Sequence, residues 1–204
     1  MRTSLGLALV LALFVTVSGS WAGVIPVTNP SFESPSCPTG TCIPTGWTVA
    51  HGGSWTPTSG VFTSIPDGTQ VAFGNVGGLL TQVLTTALAS DTTYTLTVDV
   101  GARAGDGFAP TIQLLAGSTV LGSASGATPT AGNWAVWTLV YDSGSSNPLA
   151  GQALEISLAS SVTQTSFDAV SLTSTADSTV PEPAVFALVG VGLLGMVTRR
   201  RFVK

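Results

Sequence analysis

The sequence predicts an all-β sandwich, and three observations predict it. Apolar and polar residues alternate with period two along several short runs. The dipeptides Asp67-Gly68, Gly77-Gly78, Gly117-Ser118 and Ser143-Gly144 punctuate those runs as turns. No stretch between residues 23 and 180 sustains a helical period. Many short strands joined by Gly-rich turns bury their apolar faces as two packed sheets or a barrel. In a chain of 204 residues this leaves room for one such domain with an appendage at each end.

Residues 1–22 read as a secretory signal peptide. Arg2 makes the start positive, residues 5–17 form an apolar run, and Ser18-Gly19-Ser20-Trp21-Ala22 supplies small residues for signal peptidase, with the cut between Ala22 and Gly23. An uncleaved anchor or a buried helix is the alternative, and the run is short for either a span or its anchor. Residues 23–176 are the sandwich domain. Tyr94, Leu96, Val98 and Val100 face one way while Thr93, Thr95, Thr97 and Asp99 face the other. Ile112 and Leu114 alternate with Thr111 and Gln113, and Gly117-Ser118 turns the chain into Thr119-Val120-Leu121 as a hairpin. Residues 134–141 are apolar on both parities, which predicts a central strand covered on both faces. Leu154, Ile156 and Leu158 alternate with Glu155 and Ser157.

Residues 177–204 hold Pro181-Glu182-Pro183, an apolar run from 184 to 197, and Arg199-Arg200-Arg201. As a single hydrophobic helix that run covers about 21 Å, less than the hydrocarbon core of a bilayer, so the arginines must snorkel or the bilayer must thin. The arginines stay cytoplasmic by the positive-inside rule. That places the domain across the membrane, in agreement with the signal peptide. Gly190-Val191-Gly192-Leu193-Leu194-Gly195 fits a dinucleotide-binding pattern but lacks the strand-turn-helix context and the acidic residue that should follow. It carries no cofactor expectation.

The order Pro-Glu-Pro, apolar run, basic cluster resembles the PEP-CTERM sorting signal of Gram-negative, biofilm-forming bacteria. The resemblance implies transient inner-membrane insertion, processing by an exosortase near Pro181-Glu182-Pro183, and release of the domain to the cell surface or the medium. In that family the substrates accompany exopolysaccharide production. A second resemblance lies in the domain. Asn29-Pro30-Ser31-Phe32-Glu33, Gly46-Trp47 and Phe167-Asp168-Ala169-Val170-Ser171-Leu172 are similar to the bounding strands of galactose-binding-like jelly rolls, which include many carbohydrate-binding modules. Asp67-Gly68-Thr69-Gln70-Val71-Ala72-Phe73 fits an intervening strand. Pro30 stands for the usual Gly and Ala169 for the usual Asn, and Pro30, without an N–H, belongs at a strand start or edge.

Between residues 23 and 180, Arg103 stands against nine acidic residues. So acidic a domain repels a phosphate backbone, which excludes nucleic acid as a partner. Asp168 shares parity with Val170 and Leu172, so it is expected to point inward, where a carboxylate must be paired, metal-bound or protonated. The jelly-roll resemblance implies that Glu33 and Asp168 help hold a structural calcium ion; the alternative is a carboxylate capping backbone N–H groups. Cys37 and Cys42 in an exported chain predict a disulfide. Trp55, in the Gly-rich loop 52–57, and Trp137 are the candidate sugar-contacting aromatics, while Trp47 reads as core. Trp134 and Trp137, three apart, point to opposite faces of a strand.

Catalysis finds little in the pattern. Gly122-Ser123-Ala124-Ser125-Gly126 has Ala where a nucleophile elbow needs Ser, and His51 is the sole histidine. The expectation is therefore a non-enzymatic surface or matrix protein with no catalytic residue, associating with exopolysaccharide. The alternatives are a structural surface protein without a small ligand, and a secreted glycoside hydrolase with two opposed carboxylates.

Overall fold

The computed structural model describes residues 22–177, and they form nine β-strands and no helix. The strands are β1 (Ala22–Ile25), β2 (Thr48–Trp55), β3 (Val71–Ala87), β4 (Thr92–Ala102), β5 (Pro110–Ala116), β6 (Thr119–Ser123), β7 (Asn133–Asp142), β8 (Ala153–Ser160) and β9 (Thr165–Ala176). Residues 1–21 and the segment carrying Pro181, Glu182, Pro183, the expected helix and Arg199, Arg200 and Arg201 lie outside the described residues. Among the described residues no helix is long and apolar enough to cross a membrane.

All pairings are antiparallel, in the order β6-β5-β8-β3-β9-β4-β7, with β1 beside β9 and β2 beside β3. β3 joins the two layers of a jelly-roll-like sandwich. Its start, Ala72 to Gly74, pairs with β9, and its later part, Gly78 to Val83, pairs with β8. The bend between them requires glycine. Gly77 has φ of +71°, and a Cβ on Gly78 would lie 2.5 Å from the Gly74 Cα. One apolar core fills the space between the layers, with Leu80, Ile112, Leu114, Leu154, Ile156 and Leu158 from one side and Tyr94, Leu96, Val98, Val100, Phe167 and Leu172 from the other.

The alternation over β4, the β5–β6 hairpin at Gly117-Ser118 and the alternation over β8 are as the sequence predicts. Three expectations need correction. β7 is an edge strand, not a central one: Val136 and Val140 remain 57% and 65% exposed. The Gly-rich stretch before Trp55 is strand β2, not a loop. Its glycines let two backbones approach closely, since a Cβ on Gly52 would meet the Phe73 carbonyl oxygen at 2.3 Å and one on Gly53 the Cys42 oxygen at 2.7 Å. Asn29-Pro30-Ser31-Phe32-Glu33 likewise forms a turn after β1 rather than a strand, and there Pro30 accepts a hydrogen bond through its carbonyl from Val170 N–H. Cys37 and Cys42 form the expected disulfide.

Candidate active site

Register assigns each side chain to a face. Ala72, Phe167 and Val100 lie side by side on β3, β9 and β4, and all three are fully buried in the core. The neighbouring rows therefore face away from the core. One such row runs Gly53, Phe73, Ser166, Gly101, Trp134 across β2, β3, β9, β4 and β7. The next holds Asp168, Asp99 and Val136.

Asp168 owes its place to a bulge. Thr97 pairs with Ser171 and Asp99 with Asp168, so β9 carries one residue more than β4 between those pairs. Ala169 takes up the excess at φ +47°. The bulge reverses parity along β9: Phe167 faces the core before it and Leu172 after it. Asp168 is buried as expected, but not on the core face. The shared parity with Val170 and Leu172 does not survive the bulge.

A turn on the outer side covers Asp168 completely (0% exposed). Asp67 N–H donates to Asp168 Oδ2 at 3.0 Å, and Ala169 N–H to Oδ1 at 2.8 Å. The turn is itself held down. Ser31 Oγ donates to Asp67 Oδ2 at 2.5 Å, and Glu33 Oε1 accepts from Thr69 N–H at 2.7 Å and Gln70 N–H at 2.6 Å. Burial pushes the Asp168 carboxyl up to about 7; the two N–H donors pull the other way, and the charges of Asp67 and Asp99 add to the rise. Burial also raises Asp99. Asp168 is therefore an acid that keeps its proton well above the usual carboxylate range and is about half protonated at neutral pH.

Aromatic side chains stand on the same side of the sheet as this acid. Trp134 lies flat against Gly101, where a Cβ would meet its ring at 2.8 Å. Its ring stands 4.7 Å from that of Phe62, and its Nε1 donates to Ser64 O at 2.9 Å, which fastens the covering segment to β7. At the other margin Arg103, the single Lys or Arg among the described residues, holds its guanidinium 5.1 Å from the Trp55 ring centre. Arg103 also pairs with Asp106 at 3.4 Å and donates to Gln164 Oε1. Ser166 Oγ and Trp55 Nε1 are buried without a hydrogen-bond partner.

The structure thus places Asp168 beside Asp99 and on the same side of the sheet as Trp134, Phe73 and Ser166, none of which the sequence singles out. One signal was available: Asp99 is the lone acid of β4, and the outward positions before it are Thr93, Thr95 and Thr97. Of the two candidate aromatics, both half-buried, Trp55 stands on this outer side, at the end of β2. Trp137 pairs with Val98 on the core side, packs edge-on against Phe108 at 5.8 Å, and donates to Ala127 O. Trp47 is core, as expected. Glu33 and Asp168 hold different N–H groups of one turn, which is the capping alternative. Their oxygens face donors, which does not fit calcium, and no group of three or more His, Cys, Asp or Glu among the described residues is placed to hold a metal ion. Asp99 and Asp168 sit side by side on one sheet rather than opposed across a cleft, so they are not a glycosidase pair.

Residues 23–173 match the family HpiC1-like, described as HpiC1 cyclase. Residues 179–201 match the PEP-CTERM protein-sorting motif, which indicates export and exosortase-dependent surface or secreted localisation. No curated protein matches the chain. Among solved structures, the Stig cyclase Fisc from Fischerella sp. TAU, in complex with (3Z)-3-(1-methyl-2-pyrrolidinylidene)-3H-indole, is 26% identical with a TM-score of 0.67, over 78% of this chain and 100% of that one. A cyclase from Fischerella sp. TAU in complex with 4-(1H-indol-3-yl)butan-2-one is 27% identical with a TM-score of 0.67, over 77% and 100%. The carbohydrate-binding module TmCBM61, in complex with β-1,4-galactotriose, is 12% identical with a TM-score of 0.51, over 72% and 97%, and shares the fold alone. The expectation of a non-enzymatic protein is overturned: the cyclase family covers most of the domain, and the cyclase structures superpose along their whole length. The sequence pattern hid this because the candidate chemistry needs one buried acid rather than a nucleophile, a triad or an opposed pair.

Proposed function

The chain belongs to the HpiC1-like cyclase family, and from that membership we propose that it is an exported cyclase in which Asp168 is the proton donor. The observation that carries the reading is the Asp168 carboxyl, fully covered, pushed up to about 7, and set on an aromatic-walled face of the sheet. A carboxylic acid still partly protonated at neutral pH is suited to general-acid work. The indole ligands of the two Fischerella cyclases suggest a substrate with a flat, electron-rich aromatic ring. Trp134, Phe73 and Trp55 offer such a ring apolar surface.

In this reading Asp168 gives its proton to the substrate and creates an electron-poor carbon. The aromatic ring attacks that carbon, a carbon–carbon bond closes, and the ring proton returns to the Asp168 carboxylate. The product is an isomer of the substrate, so no co-reactant is consumed. Because the Asp67 turn covers Asp168, substrate entry displaces that turn. The test is incubation of the full-length chain with an indole bearing an isomerisable alkenyl side chain, scored by NMR for a ring-closed isomer. Asp168→Asn should slow ring closure about 100- to 10,000-fold. An Asp168→Asn chain as active as the native one would remove Asp168 from the chemistry.

The half-buried Trp55 and Trp134 favour a second reading, association with exopolysaccharide through the same face. Retention of the chain on its host's polysaccharide, lost on Trp55→Ala, supports it; no retention removes it. Exosortase cutting beside Pro181-Glu182-Pro183, with loss of Arg199, Arg200 and Arg201, belongs to either reading. The intact mass of the exported protein tests it.

A further inference from the structure

Two polar groups on the outer side of the sheet are buried with nothing to bond. Ser166 Oγ lies in the row between Phe73 and Gly101, on a residue with no exposed surface, and Trp55 Nε1 lies at the end of β2. Arg103 links their surroundings. Its guanidinium donates to Gln164, two residues before Ser166 on β9, and rests on the Trp55 ring. β4 and β2 are separated by β9 and β3, about 14 Å at ordinary strand spacing. An Arg103–Trp55 contact across that gap arches over the row that contains Ser166. Ser54 Oγ is also unpartnered, but Ser54 pairs with Ala72 on the core side and is no part of this site.

Buried polar groups in native proteins are nearly always bonded, so two orphans on the side that carries Asp168 call for a partner. Asp168 stands two residues from Ser166 on the same face, about 7 Å along the strand. We infer that Ser166 Oγ and Trp55 Nε1 donate hydrogen bonds to an uncharged acceptor on the substrate, a carbonyl-type oxygen attached to the aromatic ring that Asp168 serves. The indole N–H of Trp55 is a donor only, and the Ser166 hydroxyl is free to turn either way; together they select an acceptor. The guanidinium overhead disfavours a cationic group at the same place. This inference rests on the cyclase reading and adds to it the substrate feature that is recognised.

The test compares two probes on the full-length chain by calorimetry: 4-(1H-indol-3-yl)butan-2-one, which carries a ketone, and 3-butylindole, which does not. The native chain should prefer the ketone. Ser166→Ala and Trp55→Phe should each weaken ketone binding about five- to tenfold, and Ser166→Ala should leave 3-butylindole within twofold. Ser166→Ala should also leave the melting temperature of the free chain unchanged or raised, because it removes an unsatisfied group. Equal affinities for the two probes, or equal losses for both on substitution, would overturn the inference and leave the cyclase reading standing. A fall in melting temperature for Ser166→Ala with ketone binding unchanged would also overturn it, by assigning the hydroxyl a structural bond. Failure of both probes to bind the native chain counts against the cyclase reading and against this inference with it.

Discussion

Asp99 and Asp168 are register partners on β4 and β9, on the side of the sheet turned away from the core. Partners of this kind hold their Cβ atoms about 4.5–5.5 Å apart. Two carboxylates so close disfavour double ionisation, and burial of Asp168 under the Asp67 turn adds the larger part of its rise. Asp168 is the more deeply covered, so it keeps the proton. The Asn29–Glu33 segment, a mere turn after β1, earns its place by clamping that cover through Ser31 and Glu33.

Stability should fall as pH rises from about 4 to about 7 and level off above. Asp168 titrates near 7 in the folded chain and near 3.8 when unfolded. Between those values the native state binds the extra proton, so raising pH favours unfolding. The loss is on the order of 4 kcal/mol. Asp168→Asn should abolish most of that slope while forfeiting one of the two N–H bonds that the carboxyl accepts. Urea titrations at pH 4, 5.5 and 7 check both. A slope that is the same in the variant contradicts the assignment.

Replacing Asp99 with Asn removes one of the charges that raise the Asp168 carboxyl. Activity that needs protonated Asp168 declines above pH 7, and in Asp99→Asn that decline should begin at lower pH, by less than one unit. The pH–rate profile is the measurement. A shift to higher pH would contradict the pairing.

Trp134 fastens the covering segment through Phe62 and Ser64. Trp134→Ala should cost about 2 kcal/mol, since the ring is only half buried. It should also speed amide exchange in residues 61–67 while β5 and β8 keep their protection. Unchanged exchange in that segment would show that other contacts hold the cover.

Gly52→Ala should cost about 2–3 kcal/mol, because its Cβ would meet the Phe73 carbonyl oxygen, a backbone atom that cannot swing away. It should also loosen β2 and with it Trp55. Gly23→Ala, whose Cβ meets nothing nearer than 3.7 Å, is the control and should stay within about 0.5 kcal/mol. Melting temperatures of the two variants decide it.

The sequence made the sandwich legible wherever one face of a strand meets the core, because burial then writes period two into β4, β5 and β8. β2 escaped because its glycines answer a close backbone approach, which leaves no apolar pattern. β7 misled because its outward valines lie on an open face beside the site, and composition does not separate an open apolar face from a covered one. Asp168 was visible as an acid in a strand-terminal motif that had to be paired, metal-bound or protonated. Its direction was not visible, because one bulge residue, Ala169, reverses the parity on which such reasoning rests. Asp99 and Trp134 become site residues only through register, which a single sequence does not display.

The central claim is that Asp168 keeps its proton up to about pH 7. The direct measurement is a carbon-13 NMR titration of the aspartate side-chain carboxyls of the full-length chain from pH 3 to 9. One resonance should titrate near pH 7 and vanish in Asp168→Asn. If the Asp168 resonance instead completes its titration below pH 5, the carboxyl is an ordinary buried cap and the proton-donor account fails.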